Sequence, residues 1–267
     1  MIKIMNKKRT ISGAILLAVV AIILILGNTT AVNIAISIVA IIAINEYFNV
    51  FKEKNNLDRW VGNILAIMIA FLDILPIELI LFIPHIVIVL LFLKVIITQM
   101  KTNFIDIAIS GFGILYIIGF IIFIPLLYSQ IDGNLLIWYV AIAAWGTDTF
   151  AYWIGSKFGK HKLTPISPKK SIEGSIGGVV GTVILSLIYT YFINRFGNLS
   201  ISYISITGIV ILLSILGQIG DLSASSIKRY AGIKDFGKLI PGHGGMLDRI
   251  DSILFIAPFA YFLLSMI

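Results

Sequence analysis

Residues 107–127, IAISGFGILYIIGFIIFIPLL, form an uncharged apolar run that decides the class of fold. A helix needs about 20 mostly apolar residues to cross the hydrocarbon core of a bilayer. This run meets that length and therefore predicts a transmembrane helix. Similar apolar runs recur along the chain, so the same criterion applies to the rest of the sequence.

The composition excludes several classes of protein. Of the 267 residues, 59% are hydrophobic and only 12% are charged, and the mean hydropathy is +1.04. A soluble domain is about a quarter charged, so most of this surface must face lipid. Because cysteine is absent, a disulfide framework, a thiolate metal site and a cysteine nucleophile are excluded. The net charge is +7, and the basic residues lie between apolar runs. This distribution indicates membrane topology and argues against a nucleic-acid partner.

The same length criterion predicts an all-α, polytopic integral membrane protein with about nine transmembrane helices. The third and the last candidates are short, and Pro76 and Pro84 leave the count open by one. We expect one transmembrane catalytic domain, 1–267, with N-terminal spans in 1–133 and the site in 134–267. The candidate spans are 11–27, 30–51, 60–76, 77–98, 104–128, 134–155, 174–194, 201–220 and 252–267.

The distribution of lysine and arginine predicts the orientation. With the N-terminus in the cytoplasm, 19 of the 20 basic residues fall in or beside cytoplasmic segments, and only Arg195 lies outside. Nine spans then place the C-terminus outside. No small-residue cleavage site follows the first apolar run, so we interpret that run as a retained helix rather than a signal peptide. The predicted location is a cell membrane of the bacterial cytoplasmic type.

The first long polar segment, residues 155–174, has two interpretations. Its lysines alone are equally typical of a solvated loop that determines topology. However, Ser167, Lys169 and Lys170 combine a hydroxyl and two ammonium groups on a proline-stiffened turn, which favours binding of a phosphate. The following Ser171–Gly174 stretch leads into a helix whose first amides are predicted to be available to an anion.

Carboxylates inside the predicted spans need a partner or a cavity. Asp148 shares a helix face with Thr149 and Tyr152, which favours a functional position, although pairing with a basic residue of a neighbouring helix is the alternative. Glu46 is a similar carboxylate in the second span. It is isolated in the sequence, so we favour a structural role for it.

The second long polar segment, residues 221–251, is the densest. If the eighth helix continues past Asp221, then Ser225 and Lys228 share its face, while Asp248 and Asp251 share a face of the last helix. Carboxylates at two helix ends, adjacent cations and a Gly-rich turn predict a site for Mg²⁺ and a polyphosphate. Taken singly, His243 is also typical of a helix connector, and Lys234 and Lys238 of contacts with lipid headgroups.

Residues 225–251, SSIKRYAGIKDFGKLIPGHGGMLDRID, resemble the signature of the phosphatidate cytidylyltransferase family. The resemblance covers 27 consecutive residues. It extends to Asp148–Tyr152 and to Pro165–Gly174, where Ser171 stands in place of an expected threonine. The first hundred or so residues resemble the family only as hydrophobic spans.

The resemblance implies a reaction, namely that phosphatidate and CTP give CDP-diacylglycerol and pyrophosphate with Mg²⁺ required. A second cation is left open. The resemblance also implies an intramembrane helical fold, a homodimer, and a polar cavity open to the cytoplasm and to membrane lipid. By the same resemblance, Asp221 and Asp248 are the expected metal ligands.

The chemistry agrees with this expectation, because a phosphate monoester is already ionised and needs cations rather than a general base. We expect catalytic roles for Lys228, Arg229, Asp251 and His243, with Asp251 as a third ligand or a supporting group. The expected substrate-binding residues are Asp148, Ser167, Lys169, Lys170, Ser225, Lys234 and Arg249. Two alternatives remain: a transporter of an anionic solute, and another membrane lipid nucleotidyl- or phosphotransferase.

Overall fold

Helices account for most of the chain in the computed structural model, which describes residues 13, 17–51, 58–197, 199–239 and 244–267. Within those residues strand-like pairing is limited to isolated bridge positions, such as the bridge between Lys162 and Ser171. This confirms the predicted all-α class. The helices are α1 Leu17–Leu26, α2 Thr29–Phe51, α3 Arg59–Ile69, α4 Ile77–Ile97, α5 Phe104–Ile121, α6 Phe123–Tyr128, α7 Gly133–Ala141, α8 Thr147–Phe158, α9 Ile172–Phe196, α10 Tyr203–Tyr230 and α11 Leu247–Leu264.

Five helical segments in the described part of the chain are long and apolar enough to cross a membrane. They confirm a membrane protein with several spans. The count of nine spans and the orientation of the termini stay predictions. The five segments are Thr29–Phe51, Glu78–Ile97, Phe104–Tyr128, Ile172–Phe196 and Tyr203–Tyr230.

The third predicted span, 60–76, is helical over a shorter range than expected. Helix α3 ends at Ile69, and the next residues form turns in which Ala70 and Phe71 donate to Ile67 and Met68. Pro76 precedes α4 and disfavours helical geometry at the residue before it. The apolar run therefore continues beyond the helix.

The described chain forms two compact units, and the first comprises Met1–Pro125 and Ile233–Arg249. In this unit α2 packs against α3 and α5. Gly62 lies against Ile44, and Gly113 lies against the ring of Tyr47, where a Cβ atom would overlap the neighbouring side chain. The Tyr47 hydroxyl donates to the Ile109 carbonyl at 3.1 Å. Close packing at glycine thus fixes the position of the C-terminal part of α2.

The second unit comprises Leu126–Gly232 and Ile250–Ile267. Helix α8 packs on α9 at Gly177 and Gly181, whose Cβ positions are occupied by Ile154 and Phe150. A buried hydroxyl, that of Thr147, lies 2.6 Å from the Ser214 hydroxyl of α10. The predicted span 134–155 is interrupted by a π-helical turn, Ile142–Gly146, directly before α8. These contacts hold α8, α9 and α10 around the polar groups described next.

Candidate active site

A cavity of about 400 Å³ lies in the second unit, between α8, α9, α10 and the segment that joins α8 to α9. It brings together residues from both the span 134–155 and the first polar segment. Its wall combines one carboxylate, two ammonium groups, hydroxyls and one amide. The polar lining includes Asp148, Ser167, Lys169, Lys170, Ser175 and Gln218.

The segment 159–171, which we call the lysine hairpin, is folded by its own backbone. Leu163 N–H donates to the Lys170 carbonyl, and Ile172 N–H donates to the His161 carbonyl, both at 2.9 Å. At its base, the Glu173 carboxylate accepts from the Lys160 N–H at 3.1 Å and lies 2.6 Å from His161 Nδ1. Several backbone groups of the hairpin thus bond locally, while the side chains of Ser167, Lys169 and Lys170 line the cavity.

The start of α9 differs from the expectation of free amide donors. Ser171 is the N-cap residue of α9, and its hydroxyl accepts from the Gly174 N–H at 3.1 Å. The Ser171 carbonyl also accepts from the Ser175 N–H at 2.9 Å. Because these amides are engaged within the helix start, the prediction that they bind an anion is not supported.

Two side-chain links join the cavity wall to α10. Lys170 forms an ion pair with Asp221, and each side chain is about three-quarters buried. The Ser175 hydroxyl donates to Gln218 Oε1, and Gln218 Nε2 donates to the Ser175 carbonyl at 3.4 Å. The ion pair places an acidic residue predicted to bind metal beside a lysine predicted to bind phosphate.

Asp251 adds a buried carboxylate to this unit, since only 7% of the residue is exposed. One of its oxygens, Oδ1, accepts from the Ser252 N–H at 2.8 Å. The charges of Asp221, Asp148 and Lys228 all act on Asp251. Helix α10 extends to Tyr230, beyond the predicted span 201–220, so the condition under which Asp221, Ser225 and Lys228 share one helix face is met.

In the first unit, Asp248 lies in the first turn of α11 and is 6% exposed. Its Oδ2 atom accepts from the Phe236 N–H at 2.9 Å and from the Gly245 N–H at 3.0 Å. Asp248 therefore holds the backbone of the loop that precedes its helix. Its predicted role as a metal ligand stays a prediction beside this observed role.

The remaining predicted site residues occupy different environments. Ser225 and Lys228 are half-buried on α10, one and two turns after Asp221, and Arg229 is exposed. Lys234 is exposed in the loop of the first unit, and Arg249 is half-buried in the first turn of α11. Arg249 Nε is buried and has no hydrogen-bond partner among the described residues. His243 lies outside the described residues.

Sequence reasoning missed the position of Glu46. Its carboxylate accepts from the Met246 N–H at 2.9 Å and from the Leu247 N–H at 2.8 Å, so it contacts the signature segment directly. Glu46 is isolated in the sequence, and its partners are backbone amides 200 residues later, which no sequence pattern marks. The available signal was the cost of burying a carboxylate within a span, which requires a partner.

The carboxylates of the second unit are oxygen ligands of the kind that Mg²⁺ prefers. Among the described residues, no group of three or more His, Cys, Asp or Glu side chains forms a complete metal site. Mg²⁺ commonly binds through one or two carboxylates and completes its shell with phosphate oxygens and water. The buried Asp251 with Asp221 nearby matches that requirement, because a cation would offset the repulsion between them.

Comparison with known proteins identifies the family. Residues 7–267 match the model of the cytidylyltransferase family. The chain is 36% identical to the phosphatidate cytidylyltransferase of Staphylococcus haemolyticus over 97% of its own length and 98% of that protein. It is also 36% identical to that of Staphylococcus aureus over the same shares. It is 45% identical to that of Bacillus subtilis over 50% of its length and 49% of that protein. The chain belongs to the cytidylyltransferase family.

Proposed function

We propose that this protein transfers CMP from CTP to phosphatidate, producing CDP-diacylglycerol and pyrophosphate in a Mg²⁺-dependent reaction. Family membership over nearly the full chain supports the reaction, as do the names of the relatives. The observation that carries the proposal is the cavity of the second unit, where Lys169 and Lys170 lie beside acidic groups. Such a site suits two anionic substrates that must be brought together.

The reaction joins a nonbridging phosphate oxygen of phosphatidate to the α-phosphorus of CTP. The bond between that phosphorus and the oxygen leading to the β-phosphorus breaks, and its electron pair leaves with pyrophosphate. The second pKa of a phosphate monoester is about 6, so the nucleophile is already mostly a dianion at neutral pH. The site therefore has to overcome repulsion between anions rather than remove a proton.

The charged residues of the second unit have complementary tasks in this proposal. Lys169 and Lys170 bind phosphate oxygens at the cavity, and Lys228 does so from α10. Asp221 and Asp251 would hold Mg²⁺. When bound, Mg²⁺ neutralises charge on the triphosphate and on the departing pyrophosphate. The ion pair with Asp221 orients Lys170 toward the cavity before substrate arrives.

The finer features of the sequence prediction belong to the same proposal. Nine spans with the N-terminus inside would put both polar segments in the cytoplasm, where CTP is found. The protein would lie in the bacterial cytoplasmic membrane and act as a homodimer. The proposal further includes Asp248 as a metal ligand, a second cation, and His243 in the loop. It also includes phosphate-binding groups, namely Ser225, Arg229, Lys234 and Arg249.

Two labelled forms of CTP test the reaction. Purified protein is incubated with phosphatidate, Mg²⁺ and CTP labelled either at the α-phosphate or at the γ-phosphate. We expect α-label in the lipid and γ-label in soluble pyrophosphate. A lipid kinase would instead place γ-label in the lipid. Anion uptake into liposomes without any labelled lipid would support a transporter, and either result would overturn the proposal.

A further inference from the structure

Glu46 of α2 lies within the first unit and contacts the segment that begins α11. The residue is 9% exposed, and its two carboxylate oxygens accept separately from the Met246 and Leu247 amides at 2.9 and 2.8 Å. The first amides of a helix lack partners within the helix, and a negative charge is favourable there. Glu46 therefore supplies, from a distant helix, two acceptors for the amides at the start of α11.

Two glycines in the signature segment make room for this carboxylate. A Cβ atom on Gly237 would overlap Glu46, and a Cβ atom on Gly245 would overlap the same side chain from the other side. The nearest atoms at both positions belong to Glu46 alone. Positive φ angles among the described glycines occur at Gly232 and Gly244, so backbone conformation does not require glycine at 237 or 245. The contact with Glu46 is what requires glycine at these two positions.

The same stretch of backbone is held a second time by Asp248. Phe236 and Gly245 donate to its Oδ2, while Met246 and Leu247 donate to Glu46. Four backbone amides thus converge on two buried carboxylates of like charge. Repulsion between the carboxylates is offset by these donors, so the shape of the described residues 235–239 and 244–248, which we call the clamped loop, depends on both acids.

We infer that Glu46 is a positioning residue for the transfer reaction, acting through the clamped loop and Asp248 rather than on substrate. This inference rests on the proposed function. Removing the carboxylate leaves the part-buried Met246 amide and the buried Leu247 amide without these acceptors, and the loop must move to satisfy them. A displacement of about 1 Å at a catalytic group is enough to reduce turnover by roughly 100-fold.

The first experiment compares Glu46→Gln and Glu46→Ala with Asn45→Ala as the matched control. Asn45 is the neighbouring residue of α2, and its amide bonds to Ile41 and Asn63 rather than to the clamped loop. Hydrogen exchange of the clamped-loop peptide is measured without Mg²⁺ or substrate, and kcat and KM are measured per folded protein. We expect faster exchange and a kcat lowered by roughly 10- to 100-fold in Glu46→Ala. Glu46→Gln keeps one acceptor, so its exchange rate and kcat should lie between those of Glu46→Ala and the wild type. Both values for Asn45→Ala should match the wild type.

The second experiment uses the glycine contact and does not require Glu46→Ala to be active. Gly237→Ala in the wild-type background should displace the carboxylate and speed exchange in the clamped loop. In the Glu46→Ala background the same substitution should add little, because the group it displaces is gone. Gly208→Ala is the control, since no atom lies within 4 Å of its Cβ position.

The outcomes separate this inference from the proposed function. If the wild type forms no CDP-lipid, the proposed function fails and the positioning role fails with it. If the wild type is active, the inference alone is overturned by either of two results. One is unchanged kcat per folded Glu46→Ala, even with a lower thermal midpoint, because that pattern marks a purely structural role. The other is an equal effect of Gly237→Ala in both backgrounds.

Discussion

The clamped loop and the lysine hairpin are both polar segments that follow a helix, yet they are built in opposite ways. In the clamped loop, the carboxylates of Glu46 and Asp248 turn toward backbone amides. In the lysine hairpin, the backbone pairs with itself and with Glu173, while Lys169 and Lys170 line a cavity. One segment uses its charges to hold its shape, and the other offers its charges to a ligand.

This difference shows that the role of an acidic residue in the signature depends on which groups its carboxylate contacts. Asp248 accepts two backbone hydrogen bonds. Asp221 instead pairs with Lys170, and Asp251 lies within reach of the charges of Asp221 and Lys228. Substitutions in the two regions should therefore fail differently. Loss of a loop acid should loosen the backbone, and loss of a charge in the second unit should impair chemistry or binding without loosening it.

The largest expected effect is that of Asp251→Asn. It removes a negative charge from the second unit at nearly constant volume, and electrostatic groups of this kind contribute roughly 100-fold or more to rate. We expect kcat to fall by about that factor while the thermal midpoint holds or rises. Asp132→Asn is the matched control, because Asp132 is an exposed residue of the same unit with left-handed backbone that asparagine tolerates. Equal activity of the two variants would contradict the role given to Asp251.

The next effect concerns the base of the lysine hairpin. Helices α8 and α9 are joined by the hairpin, and Gly177 lets them approach at Ile154. Gly177→Ala should overpack this contact and lower the free energy of unfolding by about 1–3 kcal/mol. Thermal unfolding in detergent, with Gly208→Ala as control, measures it. An unchanged midpoint would mean that α8 and α9 adjust freely.

The sequence predicted much of this architecture because its main signals are local. Apolar length identified five long helices, and helical spacing put Asp221 and Lys228 on one face if the eighth helix continues past Asp221, as α10 does. It also placed Ser167, Lys169 and Lys170 on one proline-stiffened turn, and all three line one cavity. These features follow from hydrophobicity and periodicity, which are properties of neighbouring residues.

Contacts made through the backbone over long distances could not be predicted in this way. Glu46 bonds to amides, which every residue carries, so the identities of Met246 and Leu247 give no sign of it. The end of α3 at Ile69 was missed because the apolar run continues through turns to Pro76. The engagement of the Gly174 amide by Ser171 likewise depends on cap geometry rather than composition.

A smaller effect is expected for Lys170→Ala. The variant loses one cation of the cavity and the ion pair with Asp221. A hydrogen bond to a charged group contributes about 1.5–3 kcal/mol, and we expect kcat/KM for CTP to fall by about 10-fold, the factor that the lower end of this range gives. Lys157→Ala, an exposed lysine at the end of α8, is the control. The comparison between the two regions would weaken if Lys170→Ala instead speeded exchange in the clamped loop.

The smallest effect is expected for Thr147→Val in the buried hydroxyl network of the second unit. Thr147 lies 3.1 Å from the Thr182 hydroxyl and 2.6 Å from the Ser214 hydroxyl. Replacing it with a residue of similar shape should lower the free energy of unfolding by about 1 kcal/mol. Chemical unfolding monitored by tryptophan fluorescence measures this, and a stabilised variant would contradict the network.

The most direct test of the account is transfer of α-phosphate label from CTP to phosphatidate by the purified wild type beside Asp251→Asn and Asp132→Asn. The account predicts labelled CDP-diacylglycerol from the wild type and from Asp132→Asn, and a loss of roughly 100-fold in Asp251→Asn. Absence of labelled lipid from folded wild type, or full transfer by Asp251→Asn, would contradict it.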